Sequence, residues 1–160
     1  MRKNNKGIIF MKKGFTLIEV LIAIGILVIV LVGLFQVFIS CSQLASTAGN
    51  LTMAVSEAQD KIEEIRNHTY DLIATDYAAV GSPPANTFDL AELNGKGVVY
   101  IDSSNPDLLV IEVNICWREK DARIIGEDTN LNGVLDVGEN EDGDEQIDSI
   151  VKLVTLLAEK

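Results

Sequence analysis

The residues best suited to chemistry lie in an acidic stretch near the C-terminus, residues 126–148. The twelve residues from Asp128 to Glu139 match the calcium-loop pattern D-x-N-x-N-G-x5-E. In this pattern oxygen ligands point inward from alternate positions, and the glycine, here Gly133, permits the sharp turn. We therefore expect a Ca²⁺ site whose ligands are five side chains and one backbone carbonyl, that of Val134: Asp128, Asn130, Asn132, Val134, Asp136 and Glu139.

The same stretch repeats 12 residues later, but the second copy is less complete. Glu145 stands where the first copy has its glycine, and Val151 stands where the first copy has Glu139. Both changes remove a feature that a calcium loop needs. A second, weaker metal site is expected from the remaining oxygen-bearing residues: Asn140, Asp142, Asp144 and Asp148.

The alternative for this stretch is a solvated, disordered loop. Nine acidic residues between positions 127 and 148 repel one another when no cation is bound, which agrees with that alternative. Calcium binding is favoured because residues other than the acids also recur at matching positions, Gly126 as Gly138 and the apolar Leu135 as Ile147. Strands are predicted on both sides of the repeat, so a helix–loop–helix arrangement is not expected.

A second unusual residue is Glu19, which lies in an apolar run from Phe15 to Ile39. About 25 apolar residues are enough to cross a bilayer as a helix. Basic residues precede the run, so the start of the chain is expected to stay in the cytoplasm and the remainder outside it. A carboxylate in such a span needs a positive partner, unless it lies near the head groups and reaches water.

The stretch from Gly14 to Glu19, GFTLIE, follows Lys12-Lys13 and leads into the apolar run. It resembles the processing site of type IV prepilins and type II secretion pseudopilins. This resemblance implies that a prepilin peptidase removes the basic leader, residues 1–14, by cleaving between Gly14 and Phe15, and methylates the new amine of Phe15. It also implies that Glu19 pairs with the N-terminal amine of a neighbouring pilin subunit, and that the chain has the pilin fold.

The elements that position these residues begin with one long helix, because no proline interrupts residues 15–66. Residues 15–39 are predicted to form the membrane-spanning and assembly part, and residues 40–66 an amphipathic continuation. The spacing in this continuation predicts one apolar stripe: Leu44, Ala48, Leu51, Val55, Ala58, Ile62 and Ile65. We expect this stripe to pack on the protein's own body rather than on other copies of the chain.

Residues 67–160 are predicted to form a small β-rich domain that carries the acidic stretch. Residues 67–95 contain glycine, proline and asparagine and are expected to be loop. Strands are predicted over residues 97–101, 108–117 and 150–157, with a turn at residues 105–107. The fold class is α+β, a long helix packed on a small antiparallel sheet. A strand ending in Trp117 and a strand near the C-terminus resemble minor pilins of the PilV or GspI type.

The charge distribution separates the two ends of the chain. The net charge is −11, but residues 1–14 hold five basic residues and no acid, which leaves 8 basic and 24 acidic residues elsewhere. This balance argues against nucleic acid as a direct partner. The basic residues 1–14 are suited to the anionic cytoplasmic leaflet of the inner membrane, and the acidic remainder of the chain is suited to water.

No catalytic constellation is recognisable, so an enzyme is not expected. His68 is the sole histidine, and Cys41 and Cys116 are the two cysteines, too few for a disulfide framework or a zinc cluster. Two functions remain: a structural minor pilin or pseudopilin, or a membrane-anchored calcium-binding adhesion or sensor module that does not assemble. The residues leave open type IV pili, type II secretion and DNA uptake.

Overall fold

Helix α1 runs from Leu17 to Arg66 in the computed structural model, which describes residues 14–140 and 143–159. Thr16 caps its start, because its hydroxyl oxygen accepts a hydrogen bond from the backbone N–H of Glu19 at 3.3 Å. Arg66 lies in the last turn, where a positive side chain is favoured. The predicted leader, residues 1–14, lies outside the described residues except for Gly14.

The chain divides into two units, and the boundary between Gln43 and Leu44 lies within helix α1. In the first unit, described residues 14–43 are all exposed. Within the described part of the chain, α1 is the one helix long and apolar enough to cross a membrane, judged by length and composition. The apolar run of residues 15–39 thus has the length, the composition and, from Leu17 onward, the helical conformation expected of a single span.

The second unit contains an antiparallel sheet of five strands and a short helix, α2, at Tyr70–Asp76. The strands are β1 at Thr87–Asp89, β2 at Gly95–Asn105, β3 at Leu108–Arg118, β4 at Ile124–Ile125 and β5 at Val151–Ala158. Strand β3 is central: it pairs with β2 on one side and with β5 and β4 on the other. Strand β1 extends the sheet beyond β2.

One face of the sheet packs on the second half of α1. Alternate residues of β3 are buried and form this inner face, as the period of two in a strand requires: Leu109, Ile111, Val113, Ile115 and Trp117. The helix contributes Ala54, Ala58, Ile62 and Ile65 to the same core. The α+β architecture of a long helix on a small antiparallel sheet is confirmed, and it agrees with a pilin fold.

The prediction that the apolar stripe packs on the protein's own body is wrong for the first half of the stripe. Ala58, Ile62 and Ile65 are buried, but Leu44 is 72% exposed and Leu51 37% exposed, and Ala48 is exposed as well. A period of 3.6 residues places Leu44 and Leu51 on the same side of the helix as the buried residues. They are exposed because the body begins to cover the helix only near Ala54.

Residues 67–95 also differ from the prediction, since they contain α2 and β1. Ile73 anchors α2 with a fully buried side chain. In β1, the ring of Phe88 covers Gly97 of β2 so closely that no larger residue would fit at that glycine. Strand β2 begins before and ends after the predicted 97–101, and the two-residue β4 was not predicted. These elements depend on long-range contacts.

Replacing Glu119 by Ala is expected to lower the free energy of unfolding by about 2 kcal/mol, because one buried and one partly buried donor lose their acceptor. Glu119 is 6% exposed and accepts hydrogen bonds from Trp117 Nε1 at 3.0 Å and Asn50 Nδ2 at 2.7 Å. Urea unfolding measures the change. The control is Glu92→Ala, at an exposed glutamate, which should be near neutral. Equal effects of the two substitutions would contradict the prediction.

Candidate assembly and calcium sites

The predicted processing residues lie just before the helix. Gly14 and Phe15 are exposed and non-helical, and the side chain of Phe15 is 83% exposed. A peptidase that cleaves an extended segment would therefore meet the Gly14–Phe15 bond outside the helical hydrogen bonds. Lys12 and Lys13 lie outside the described residues.

Glu19 lies in the first turn of α1 and is exposed among apolar side chains. The N-terminal end of a helix favours a negative side chain, which stabilises this residue within a single chain. No salt bridge of Glu19 forms with any residue in the described ranges. A positive partner would have to come from outside these ranges or from another molecule.

The acidic stretch at residues 126–148, hereafter the insert, connects β4 to β5, and its described apolar residues pack on the outer face of the sheet. Its buried anchor is Ile147, which forms an apolar cluster with Val98 and Cys116. Leu131 and Leu135 of the insert pack against the same cluster. The insert is therefore folded against the domain.

Four predicted calcium ligands are brought together at the start of the insert. The Asp128 carboxylate accepts hydrogen bonds from the backbone N–H groups of Asn132 at 3.1 Å and Gly133 at 2.7 Å. The side-chain amides of Asn130 and Asn132 both donate to Asp136 Oδ2, at 2.7 and 2.9 Å. These contacts form the ring of polar groups that the alternating spacing predicts.

Glu139 lies at the last position of the loop and holds it closed. Its Oε1 accepts hydrogen bonds from the backbone N–H and hydroxyl of Thr129, at 2.8 and 2.6 Å, and its Oε2 accepts one from the N–H of Asp136 at 3.0 Å. Burial raises the pKa of Glu139, but these hydrogen bonds together outweigh burial and hold the pKa below its usual range. The remaining predicted ligand, Val134, donates its N–H to Asn132 Oδ1 at 2.6 Å and so lies in the same turn.

Gly133 is required at the turn for two reasons. Its φ of +77° lies in the left-handed region that favours glycine. A Cβ atom at this position would also collide with the methyl group of Thr87 in β1. The glycine of the loop pattern therefore shapes the loop and lets it lie against the sheet.

Two carboxylates in this loop are buried without a positive side chain. Asp128 is 0% exposed and Glu139 4% exposed, and neither forms a salt bridge within the part of the chain that the structure describes. Burial raises the pKa of Asp128 and the nearby charge of Glu139 adds to the rise, although backbone N–H groups oppose it. Buried charges in proteins are normally paired or coordinate a metal.

The donor set fits a hard cation that takes oxygen ligands, as Ca²⁺ does. Among the described residues, histidine, cysteine and carboxylate side chains do not by themselves form a compact metal-holding group of three. A cation held in this loop would therefore also need the amide oxygens of Asn130 and Asn132 and the carbonyl of Val134. The two amides, which now donate to Asp136, would bind a cation by turning their oxygen atoms toward it.

The described residues of the second repeat each make a different contact. Asn140 accepts from the N–H of Gly143 at 2.7 Å, and Asp144 accepts from the N–H of Gln146 at 2.8 Å. Asp148 forms an ion pair with Lys152 at 3.1 Å, so a protein side chain supplies its cation. Asp142 lies outside the described residues.

Replacing Lys152 by Met is expected to lower the free energy of unfolding by about 1 kcal/mol, the upper range for partly exposed pairs. Its Nζ lies 2.8 Å from Glu112 and 3.1 Å from Asp148, and the hydrogen bond to Glu112 is the main cause of its raised pKa. Thermal unfolding at low salt measures the loss. Lys120→Met, at an exposed lysine, is the control, and a loss no larger than that of the control would contradict the prediction.

Sequence reasoning missed the residues that attach the insert to the sheet. Leu135 and Ile147 occupy equivalent positions in the two repeats, and this recurrence of apolar residues was the available signal. Cys116, under the insert, is fully buried, and burial raises the pKa of its thiol to about 11. Cys41 is exposed, and both cysteines are free.

Comparison with known families gives one match, to the prokaryotic N-terminal methylation motif, over residues 9–35. No curated protein and no solved structure matches the chain. The matched segment contains Gly14, Phe15 and Glu19 and most of the apolar run, as far as Phe35. The chain therefore carries a type IV pilin-like N-terminal methylation signal, joined to an apolar helix that is long enough to span a membrane.

Proposed function

We propose that this protein is a minor pilin or pseudopilin, a structural subunit of a type IV pilus or a type II secretion pseudopilus. The observation that carries the proposal is the methylation motif at residues 9–35, followed by a 50-residue helix whose second half packs on a small antiparallel sheet. Prepilin peptidase would cleave the chain after Gly14 and methylate Phe15. The resulting subunit would wait in the inner membrane as a single-span protein, with its C-terminal domain outside the cytoplasm.

Assembly with other pilins would use the exposed apolar surface of the helix. Residues 14–43 of the first unit are exposed throughout, and in the second unit Leu44 and Leu51 are exposed as well. Apolar side chains that the protein's own body leaves uncovered gain free energy when a neighbouring helix covers them. Within such a bundle, Glu19 would pair with the amine of a neighbouring Phe15.

Fractionation of cells that build the fibre tests this proposal. The protein should appear in the sheared fibre fraction when prepilin peptidase is active, and remain in the membrane fraction when the peptidase is inactivated. A subunit known to assemble in the same cells serves as the positive control. Confinement of the protein to the membrane fraction, in cells whose fibres carry that control subunit, would contradict the assembly role.

We also propose that residues 128–139 bind one calcium ion. Support comes from two buried carboxylates without a positive side chain, and from a ring of oxygen-bearing groups in the spacing of a calcium loop. Extracellular calcium modules bind with Kd values of about 10⁻⁴–10⁻³ M, which sets the expected range.

Isothermal titration calorimetry on the full-length protein in detergent tests the calcium site. We expect one ion per chain and a Kd in this range, with Mg²⁺ much weaker because it needs near-octahedral ligands. At a hundredfold excess over Kd, calcium should stabilise the folded state by about 2.7 kcal/mol. Absence of heat and of thermal stabilisation at millimolar calcium would contradict the site.

The same calcium site also suits a second function, a membrane-anchored adhesion or sensor module that never assembles. The two functions differ in what they require of Glu19: an assembling subunit needs its charge, whereas a lone anchored module does not. Glu19→Ala therefore separates them.

A further inference from the structure

The insert is attached to the outer face of the sheet mainly through Ile147. This side chain is 1% exposed and contacts Val98 and Cys116. Its backbone N–H donates to Tyr100 Oη at 2.7 Å, and its carbonyl accepts from Asn114 Nδ2 at 2.9 Å. A few contacts around one residue therefore hold the second half of the insert in place.

The two ends of the insert are tied together directly above Cys116. The N–H of Glu127 donates to the carbonyl of Asp148 at 2.9 Å, and the N–H of Asp148 donates to Glu127 Oε2 at 3.0 Å. Gly126 packs so closely on Cys116 Sγ that no larger residue would fit there. The Cys116 thiol is thus covered by the insert, and its burial reports that the insert is closed.

The calcium ligands and the apolar anchors alternate along the same segment. Leu131 lies between the ligands Asn130 and Asn132, and Leu135 immediately precedes the ligand Asp136. Both leucines pack against the cluster around Cys116. A cation that draws the ligand oxygens together therefore also fixes these two leucines against the sheet.

Charge repulsion opposes this closed arrangement. The nine acidic residues between positions 127 and 148 include no basic neighbour in that stretch. Closing the insert buries Asp128 and Glu139 among them, and like charges in a partly desolvated setting repel more strongly than in water. The apolar cluster that favours closure is small, so the balance between the two states depends on a bound cation.

We propose that calcium binding at residues 128–139 closes the insert over the outer face of the sheet, and that loss of calcium opens it and exposes Cys116. The inference rests on the calcium site proposed above. In a domain outside the cytoplasm, this coupling would complete the fold only where calcium is plentiful.

The test measures how fast a maleimide labels Cys116 in the full-length protein in detergent. Cys41→Ser leaves Cys116 as the sole thiol. We expect labelling about 10–100-fold slower in calcium chloride at 10–100 times the Kd than in chelator, because linkage changes the open population by the factor 1 + [Ca²⁺]/Kd. Magnesium chloride at equal concentration should give little protection. Far-UV circular dichroism confirms that the sheet persists in both conditions.

A second variant isolates the coupling. Ile147→Ala, in the same background, keeps every ligand of the first loop, so it should still bind calcium in calorimetry but label rapidly with or without the ion. Protection of Cys116 that survives this substitution would overturn the role of the anchor. If the parent binds calcium but its labelling rate does not change, the coupling is refuted and the calcium site stands. If calorimetry shows no binding, both are refuted.

Discussion

Replacing Glu19 by Ala is expected to remove the protein from the fibre while leaving its amount in the membrane unchanged. Glu19 is the single acidic residue between Phe15 and Ile39, and no described residue of its own chain neutralises it. If it pairs with a neighbour's amine away from water, removing it leaves that amine unpaired. The cost of breaking a buried pair is about 3–5 kcal/mol, more than about a hundredfold in incorporation.

Immunoblotting of sheared fibre and membrane fractions measures this effect. Glu63→Ala is the matched control, because Glu63 is an exposed glutamate on the same helix, and it pairs with Arg66 at its own helix end. The control should enter the fibre normally. Incorporation of the Glu19 variant at the level of the unmodified protein would contradict the assembly role of this carboxylate and favour the non-assembling, calcium-binding module.

Replacing Asp128 by Asn should abolish stabilisation by calcium while changing the stability of the protein in chelator only modestly. Asp128 is fully buried and its charge has no positive partner among the described residues. Without calcium, the amide removes a buried charge but keeps only one acceptor oxygen for the N–H groups of Asn132 and Gly133, so the stability of the variant should lie within about 2 kcal/mol of that of the unmodified protein. With calcium at a hundredfold excess over Kd, the unmodified protein gains about 2.7 kcal/mol and the variant should not.

Thermal unfolding with calcium and with chelator gives both comparisons. Glu145→Gln is the control, since it removes one negative charge from an exposed position in the same insert. The control should keep the calcium response. A variant at position 128 that retains the full response, or that is destabilised by several kcal/mol in chelator, would show that the carboxylate has a structural role and no metal to bind.

Local patterns predicted the elements whose burial alternates or repeats along the chain. In β3, apolar and polar residues alternate from Ile111 to Trp117, and this strand is the centre of the sheet. The apolar run after Phe15 predicted the first part of α1, and Asn105-Pro106-Asp107 predicted the turn between β2 and β3. Each of these signals depends on neighbours in sequence.

Features set by distant contacts could not be predicted in this way. Helix α2 exists because Ile73 is buried in the core, and β1 because Phe88 packs over Gly97. The stripe that includes Leu44 and Leu51 correctly predicted which side of the helix faces the body. The sequence does not say how far along the helix the body extends. The spacing of the first repeat predicted that its polar side chains converge, as the hydrogen bonds of Asn130 and Asn132 to Asp136 show, and calcium binding by them stays a prediction.

The contacts of Asp148, the last acidic residue of the second repeat, depend on the register of the sheet. Antiparallel pairing of β3 with β5 places Lys152 opposite Asn114, within reach of Glu112 and Asp148. The repeat pattern ends at Asp148, so it cannot reveal that Lys152 of the following strand forms an ion pair with Asp148. The contrast between the two repeats therefore appears only once the strands are paired.

The most direct test of the central claim is mass spectrometry of the N-terminal peptide, from cells with an active prepilin peptidase. A pilin or pseudopilin is predicted to give a peptide that begins at Phe15 and carries one added methyl group on its amine. Recovery of peptides in which Lys13, Gly14 and Phe15 remain joined, with none that begins at Phe15, would contradict the proposed processing and the assembly that depends on it.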